Sequence, residues 1–219
     1  MAAFGIAVLA SGAGTNLQAL IDAIAGDALP ARIVAVFSDK PKCAALQRAR
    51  DAGIPAVARS PKDFASREAF DAAFFADVDA AGADLIVCAG YMRLIAAAEV
   101  DARPGRMINL HPSLLPAFKG LHTHRQALEA GAHEHGASVH AVTADLDGGP
   151  VIAQARVPVL AGDDEAALAA RVRAIEHPLL VETVRLLAED RLRLRDGGVF
   201  LNGAPLAAPL QLGANRRLA

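Results

Sequence analysis

The first half of the chain alternates short apolar runs with longer amphipathic segments. The short runs are hydrophobic at successive positions, which is typical of strands buried on both faces. Strands are predicted over residues 4–10, 33–37, 55–58, 84–89 and 107–110. Helical periodicity predicts helices between them, over residues 15–25, 42–52, 63–81 and 96–101. Because strands and helices alternate, we expect an α/β fold with a doubly wound, mainly parallel sheet and flanking helices.

The pattern changes after residue 110. A stretch containing proline and glycine, residues 111–120, is followed by a predicted helix over residues 123–130. Two β-branched or alternating runs, residues 137–143 and 151–159, predict strands joined by a loop. The second half of the fold is therefore expected to contain mixed strands.

A long helical segment follows and ends at about residue 189. Asp163, Asp164 and Glu165 place three acids in its first turn, where the helix dipole favours them, and Asp163 is predicted as the N-cap. Residues 191–219 contain the turn-forming sequence Asp-Gly-Gly at 196–198, which predicts a hairpin, and then a polar tail. No repeat or linker interrupts the chain, so we expect one domain over residues 1–219.

Composition and charge exclude several classes of function. With 53% hydrophobic residues, 21% charged residues and a net charge of −2, the chain is typical of a soluble domain. Its basic residues are scattered among acids, which argues against a nucleic-acid partner. No apolar run approaches the roughly 18 residues of a membrane span. Cys43 and Cys88 are far apart, so a disulfide framework is not expected, and we predict a cytoplasmic protein.

Residues 11–16, with the sequence SGAGTN, directly follow the first predicted strand and open the first predicted helix. Glycines let the backbone approach a ligand closely, and free N–H groups at a helix N-terminus favour an anion. The spacing matches neither a dinucleotide fingerprint nor a triphosphate loop. The segment therefore predicts a phosphate site, or else an ordinary strand-to-helix turn capped by Thr15 or Asn16.

Asn109 and His111 lie two residues apart at the end of the fifth predicted strand. Residues two apart in an extended chain point the same way. An asparagine amide can donate to a developing oxyanion, and a histidine can move a proton near neutral pH. The alternative is a core histidine beside a turn asparagine.

Residues 145–150, with the sequence DLDGGP, also allow a structural and a catalytic interpretation. Taken alone, the segment is common turn chemistry. If the loop folds over the strand ends, Asp147 comes to lie beside His111. A carboxylate there is expected to raise the pKa of His111 and to fix its tautomer.

The remaining histidines include two pairs with one residue between them, His122 with His124 and His133 with His135. Alternate positions of a helix do not face each other, and no acidic or cysteine ligand completes a set. We therefore expect no metal site, and Cys88 is expected to be a small core residue.

Together these stretches resemble the glycinamide ribonucleotide formyltransferases of purine biosynthesis that use 10-formyltetrahydrofolate. The resemblance runs from Ile6 to about Leu187. It is carried by the segments SGAGTN, AGYMRLI, INLHPSLLPAFKGLHTHRQAL, TADLDGGPVI and RVRAIEHPLLVE. It implies a single formyltransferase domain with a phosphate-binding half, 1–110, a folate and catalytic half, 111–190, and a C-terminal hairpin and tail, 191–219.

The resemblance also assigns roles to individual residues. The implied catalytic residues are Asn109, His111 and Asp147. The implied ribonucleotide-binding residues are Gly14, Thr15, Asn16, Arg173 and Glu176. The implied folate-binding residues are Arg67, Met92, Arg93, Leu94, Ile95, Asn109, Val142 and Asp145. The implied partners are small molecules only, with 10-formyltetrahydrofolate as co-substrate, neither metal nor ATP, and a monomeric or homodimeric enzyme.

The implied reaction is a direct attack by the amine on the formyl carbon. Asn109 is expected to donate to the oxyanion, and protonated His111, held in its charged form by Asp147, is expected to move a proton toward the leaving nitrogen. No serine or cysteine nucleophile is needed, because an amine is already a nucleophile.

Three other functions remain as alternatives. Hydrolysis of formyltetrahydrofolate would use a similar site, but relatives of that type carry an extra N-terminal domain and typically a second histidine where this chain has Pro112. Formylation of methionyl-tRNA would need a further RNA-binding domain and a basic surface. A non-enzymatic folate or nucleotide binder would have no use for Asn109, His111 and Asp147 together.

Overall fold

A computed structural model describes residues 3–219, and these residues form two compact units, one ending at Asn109 and the other beginning at Leu110. The strands are β1 Phe4–Leu9, β2 Ala31–Ser38, β3 Ala56–Ala58, β4 Leu85–Cys88, β5 Met107–His111, β6 Glu134–Ala141, β7 Val151–Pro158, β8 Leu192–Arg195, β9 Gly198–Leu201, β10 Ala204–Pro205 and β11 Leu210–Gln211. The helices are α1 Thr15–Ala25, α2 Ala44–Asp51, α3 Arg67–Ala80, α4 Ala97–Asp101, α5 Thr123–Glu129 and α6 Glu165–Ala188.

The sheet of the first unit has the strand order β5-β4-β1-β2-β3, and every neighbouring pair is parallel. This arrangement confirms the predicted parallel sheet. The chain leaves β1 toward β2 on one side, and β4 lies on the other side of β1. Ligands of open α/β sheets bind at such a reversal, outside the carboxyl ends of the central strands. Here the loops that follow β1 and β4 occupy that position.

Burial explains why the apolar runs form these strands. Residues 6–9 of β1 are fully buried, and β4 is buried along its whole length. The helix α3 adds a cluster of aromatic side chains, in which the rings of Phe70 and Phe74 lie 5.3 Å apart and Phe37 of β2 lies 6.0 Å from Phe74. Burying a side chain of this size contributes about 2 kcal/mol, so the aromatic cluster anchors α3 on the sheet.

The second unit contains the expected mixed strands. β6 pairs antiparallel with β7, β11 pairs parallel with β7, and α6 packs against β6 and β7. Beyond α6, β8 and β9 form an antiparallel hairpin, and β10 completes a small sheet of three strands. Asp196 and Gly197 form the two-residue turn with φ of 52° and 70°, which is the conformation that such hairpins favour. The predicted hairpin is therefore confirmed.

The starts of α3 and α6 differ from the predictions. A short 3₁₀ helix, Pro61–Asp63, precedes α3, which begins only at Arg67 because the Ser66 hydroxyl accepts a hydrogen bond from the Ala69 N–H. The N-cap of α6 is Asp164, which accepts from the Ala167 N–H, and the predicted cap at Asp163 is wrong. Asp163 instead forms a bidentate ion pair with Arg171.

The predicted polar tail is more ordered than expected. It contains β10 and β11, and an antiparallel bridge joins Leu212 to Leu218. Arg217 donates to the buried carboxylate of Glu182 on α6 at 2.7 Å. Backbone pairing and this ion pair, which the polar sequence does not reveal, fix the tail to its own unit. Within residues 3–219, no helix has the length and apolar character needed to cross a membrane.

Candidate functional site

The loop after β1 turns sharply into α1 at Gly14. Gly14 has a left-handed conformation with φ of 72°, and a Cβ on it would lie 2.7 Å from the Cα of Ala45, so only glycine fits. Gly14 also occupies the N-cap position of α1, and no side chain makes a cap hydrogen bond there. The alternative that Thr15 or Asn16 caps the helix is therefore wrong. This helix start without a side-chain cap is suited to an anion.

The helix α2 holds the same loop from outside. The Ala45 N–H donates to the Gly12 carbonyl at 3.1 Å, and Arg48 Nε donates to the Ala13 carbonyl at 2.8 Å. Arg48 also donates to the Gln18 side chain at 3.0 Å. These bonds engage two successive carbonyl oxygens of the loop. A phosphate would be repelled by carbonyl oxygens and attracted by N–H groups, so this arrangement favours an anion.

The loop after β4 carries the residues assigned to folate in the same unit. The Met92 and Leu94 side chains are exposed, by 65% and 52%, although both are apolar. The Arg93 guanidinium lies 4.7 Å from the centre of the Phe70 ring. At its far end, the Ala96 N–H donates to the buried Asp71 carboxylate at 2.8 Å. Met92 and Leu94 thus present apolar side chains on a tethered loop. Ile95 lies at the end of this loop, and the exposed Arg67 lies at the start of α3.

In β5, Asn109 and His111 lie two residues apart, and the second of them opens a buried cluster in the second unit. His111 Nε2 lies 3.0 Å from the Phe118 carbonyl oxygen, and Nδ1 lies 3.5 Å from Asp147 Oδ2. Because a carbonyl can only accept, Nε2 carries the proton of this contact. The His111 and Asp147 side chains are 6% and 7% exposed. Two side chains that lie 36 positions apart in the sequence are therefore brought into direct contact.

Asp147 is held by three partners. Its Oδ2 accepts from the Gly120 N–H at 2.8 Å, and its Oδ1 lies 3.6 Å from His140 Nε2. The residue has φ of 45°, a left-handed conformation that aspartate tolerates better than most residues. Two positions further on, a Cβ at Gly149 would lie 1.9 Å from the Ala141 carbonyl oxygen. The Asp-Gly-Gly sequence therefore serves a tight turn and also directs a carboxylate at two histidines.

Burial and charge have opposite effects on the two members of this pair. Burial disfavours the charged form of Asp147, but hydrogen bonds from His140 and Gly120 and the two nearby imidazoles keep its pKa below the ordinary value. For His111, burial outweighs the Phe118 hydrogen bond and the Asp147 charge, and its pKa is lowered. The expectation of a raised His111 pKa is therefore wrong for the free protein, because desolvation exceeds the attraction.

The remaining assigned residues of the second unit lie on two elements. Val142 and Asp145 belong to the segment between β6 and β7, where the Asp145 carbonyl accepts from the Gly148 N–H at 3.1 Å. Arg173 and Glu176 lie three apart on α6, so they share one face of the helix. Sequence reasoning missed His140, Phe118 and Gly120 as partners of the His111 and Asp147 pair. A histidine within the apolar run of β6 was the one available signal for His140.

A second histidine contact lies in the same unit. His124 Nδ1 is 3.1 Å from His135 Nε2, and burial lowers the pKa of His135 to about 4. Across residues 3–219, His, Cys, Asp and Glu side chains form no group of three that could hold a metal ion. Cys43 and Cys88 are both free thiols, and Cys88 is buried in β4.

Comparison with known proteins identifies the family of the chain. A family model for formyl transferases matches residues 5–184. Phosphoribosylglycinamide formyltransferase of Escherichia coli K12 is 47% identical over 201 residues, which are 92% of this chain and 95% of the relative. The chain belongs to the phosphoribosylglycinamide formyltransferase family. It is accordingly a formyl-transferring enzyme.

Solved structures of the family have the same fold. A phosphoribosylglycinamide formyltransferase from Coxiella burnetii superposes with a TM-score of 0.90 at 45% identity, covering 94% of this chain and 97% of that one. The glycinamide ribonucleotide transformylase 1 of Symbiobacterium toebii gives 0.87 at 47% identity, covering 91% and 94%. The human trifunctional purine biosynthetic protein adenosine-3 is 40% identical over 88% of this chain, which corresponds to only 19% of that longer protein.

Proposed function

We propose that this formyltransferase moves the formyl group of 10-formyltetrahydrofolate to the amine of N1-(5-phospho-D-ribosyl)glycinamide, a step of purine biosynthesis. The products are the N2-formyl ribonucleotide and tetrahydrofolate. Close relatives named for this acceptor support the proposal, and the family of formyl transferases supports a folate-type donor. The observation that carries the chemistry is the buried contact between His111 and Asp147 at the end of β5.

In the proposed reaction, the amine nitrogen attacks the formyl carbon, and the carbonyl electrons move to the oxygen. Asn109 donates an amide N–H to the oxyanion that forms. Such a donor contributes about 3 kcal/mol to the transition state, because the charge it stabilises is absent from the substrate. His111 Nε2, which contacts the Phe118 carbonyl in the free protein, becomes a second donor for this oxygen once it has taken a proton from the amine.

His111 is proposed to move the proton. The attacking amine becomes positively charged in the tetrahedral intermediate and must lose a proton, while the N10 leaving group must gain one. In the neutral imidazole that acts as base, which the lowered pKa of His111 favours, the ring proton lies on Nδ1, toward Asp147, so that Nε2 takes the first proton and returns it to N10. The Asp147 carboxylate, whose low pKa keeps it ionised, stabilises the imidazolium while it exists.

The proposal also gives each substrate its own set of binding residues. Residues 14–16 at the start of α1 are proposed to bind the phosphate, and Arg173 and Glu176 are proposed to bind the rest of the ribonucleotide. The folate is proposed to bind on Arg67, on the loop 92–95 and on Asn109, Val142 and Asp145. The single domain over residues 1–219 and a monomer or homodimer remain part of this proposal.

The test is the turnover of Asn109→Ala and His111→Ala, followed by the absorbance change of the folate on deformylation. We expect kcat to fall by about 100-fold or more in each variant, with KM for either substrate changed far less, because both groups act in the transition state. His133→Ala, at an exposed histidine, is the matched control and should retain wild-type kcat. Near-normal turnover of His111→Ala would overturn the assignment.

A further inference from the structure

The loops after β1 and β4 are joined by one buried side chain, Ser11. Its N–H donates to the Gly90 carbonyl at 2.9 Å, and its hydroxyl oxygen accepts from the Met92 N–H at 3.0 Å. The hydroxyl proton is donated to Asp39 Oδ1 at 2.5 Å. Ser11 and Asp39 are 3% and 7% exposed. One residue of the first loop therefore holds the beginning of the second.

The direction of each hydrogen bond follows from chemistry. A carboxylate oxygen can only accept, so Asp39 fixes the position of the Ser11 hydroxyl proton. The lone pairs of the same oxygen then face the Met92 N–H. Bonds to an ionised acceptor are the stronger kind, so Asp39 holds the Ser11 side chain in the one rotamer that can bridge to Met92.

The strand register shows why this bridge forms. β1 and β4 are parallel neighbours whose last pair is Leu9 with Cys88, and the Ala89 N–H donates to the Leu9 carbonyl at 2.9 Å. The hydrogen bonds of the Ser11 backbone and side chain continue the pairing of β1 with β4 beyond the ends of both strands. Gly90, with φ of 79° and open space around it, lies between the end of β4 and the loop of residues 92–95 that is assigned to the folate. At Gly90 the chain is tied to the first loop by Ser11, whose N–H donates to the Gly90 carbonyl.

We propose that Ser11 is a positioning residue that couples the two substrate sites. The ribonucleotide bound at residues 14–16 orders the folate loop, residues 92–95, and each substrate thereby tightens binding of the other. The inference rests on the proposed function, which assigns the two loops to the two substrates. The far end of the folate loop is already tied by Asp71 at Ala96. The near end depends on Ser11, so ordering the first loop removes part of the entropic cost of ordering the second.

Thermodynamic linkage makes the coupling measurable in both directions. If the ribonucleotide raises the affinity for the folate by some factor, the folate must raise the affinity for the ribonucleotide by the same factor. Glycinamide ribonucleotide and tetrahydrofolate form a pair without a formyl group, so both can be bound without turnover. The dissociation constant of each is measured by calorimetry, with and without saturation by the other.

We expect each ligand to tighten the other by about 5-fold or more in the wild-type protein, which is the usual range of such coupling. In Ser11→Ala the factor should fall to about 1, while each ligand alone still binds. Hydrogen exchange gives a second readout. Glycinamide ribonucleotide alone should slow exchange in a peptide covering residues 90–96 of the wild-type protein, and this effect should be absent in Ser11→Ala.

Ser38→Ala is the matched control, because Ser38 is also fully buried in the first unit but bonds within its own turn, to the Lys40 N–H at 3.0 Å. It should keep the wild-type coupling factor. If Ser11→Ala does not fold, Asp39→Asn keeps the shape and weakens the bond that orients the hydroxyl, so the factor should fall there as well. A wild-type factor of 1, or an unchanged factor in the variant that folds, overturns the inference. Absence of formyl transfer or of ribonucleotide binding by the wild type would instead overturn the proposed function.

Discussion

At Asp147, a strained backbone and a buried charge occur in one residue. The left-handed φ is tolerated because the turn closes against Gly149, where no side chain would fit. The carboxylate keeps a low pKa although it is buried, because a backbone N–H and two imidazoles face it. A residue placed in this way provides a fixed negative charge close to His111, which is what a transient imidazolium requires.

The Asp147 charge can be tested through the pH dependence of kcat/KM. In the wild type this charge partly offsets the burial that lowers the His111 pKa. Asp147→Asn removes the offset, so the His111 pKa should fall further. Because neutral His111 is the proposed base, activity is lost as the pH falls through this pKa, and the acid limb should move to lower pH. The maximal rate should also fall, and an acid limb that does not move would contradict the role of Asp147.

A second residue affects stability at low pH. His135 is fully buried with a pKa of about 4, whereas an unfolded histidine has a pKa near 6.5. The unfolded chain therefore binds the extra proton between these values, and the free energy of unfolding should decrease as the pH falls from 6.5 to 4, by about 3 kcal/mol.

Urea unfolding of His135→Gln across this pH range measures the effect. The variant should lose less stability than the wild type between pH 6.5 and 4, although it is less stable at pH 7 through altered packing. The exposed His133→Gln variant should follow the wild type. Equal slopes for His135→Gln and the wild type would show that another group causes the loss.

Among the elements, α2 positions the loop after β1, residues 11–16. Its backbone at Ala45 and its side chain at Arg48 engage the carbonyls of Gly12 and Ala13. Packing is close enough that Gly14 cannot carry a side chain. The helix α2 therefore sets the shape of the loop proposed to bind the phosphate.

Arg48→Ala should weaken ribonucleotide binding through this loop. We expect KM for glycinamide ribonucleotide to rise by about 10-fold, which corresponds to about 1.4 kcal/mol, with KM for the folate and kcat changed little. Arg50→Ala, at an exposed arginine two residues further along α2, is the control. Equal kinetics of the two variants would mean that α2 does not position the loop.

Elements differ in how far the sequence predicts them. The apolar runs predicted β1 and β4 to within two residues at each end, because a strand buried on both faces has no polar positions. The start of α3 and the cap of α6 were misplaced, since Ser66 and Asp164 compete with neighbours of equal capping potential. The order of the C-terminal tail depends on Arg217 meeting Glu182, a contact between residues 35 apart that no local pattern contains.

Some residues of the proposed site could be predicted from the sequence and others could not. Asn109, His111 and Asp147 stand out in sequence because polar residues are costly at the end of a buried strand and in a glycine-rich turn. Their sequence neighbours gave no hint of Gly120 or Phe118, whose backbone groups reach the pair only in the folded unit. The direction of the His111 pKa shift was missed for a related reason, since it depends on the degree of burial.

The whole molecule combines the fold of its family with a site suited to a specific chemistry. The parallel sheet brings two loops together after β1 and β4, and β5 leads into the buried His111 and Asp147 pair. These features suit a reaction between two small molecules. In the proposed reaction, the acceptor is the ribonucleotide amine and not water.

The most direct test is a spectrophotometric assay of 10-formyltetrahydrofolate deformylation by the purified protein, with and without glycinamide ribonucleotide, and with neither metal nor ATP added. We expect tetrahydrofolate formation that depends on the ribonucleotide and matches the formyl ribonucleotide produced, mole for mole. Equal deformylation without the ribonucleotide would contradict this expectation and would indicate a hydrolase.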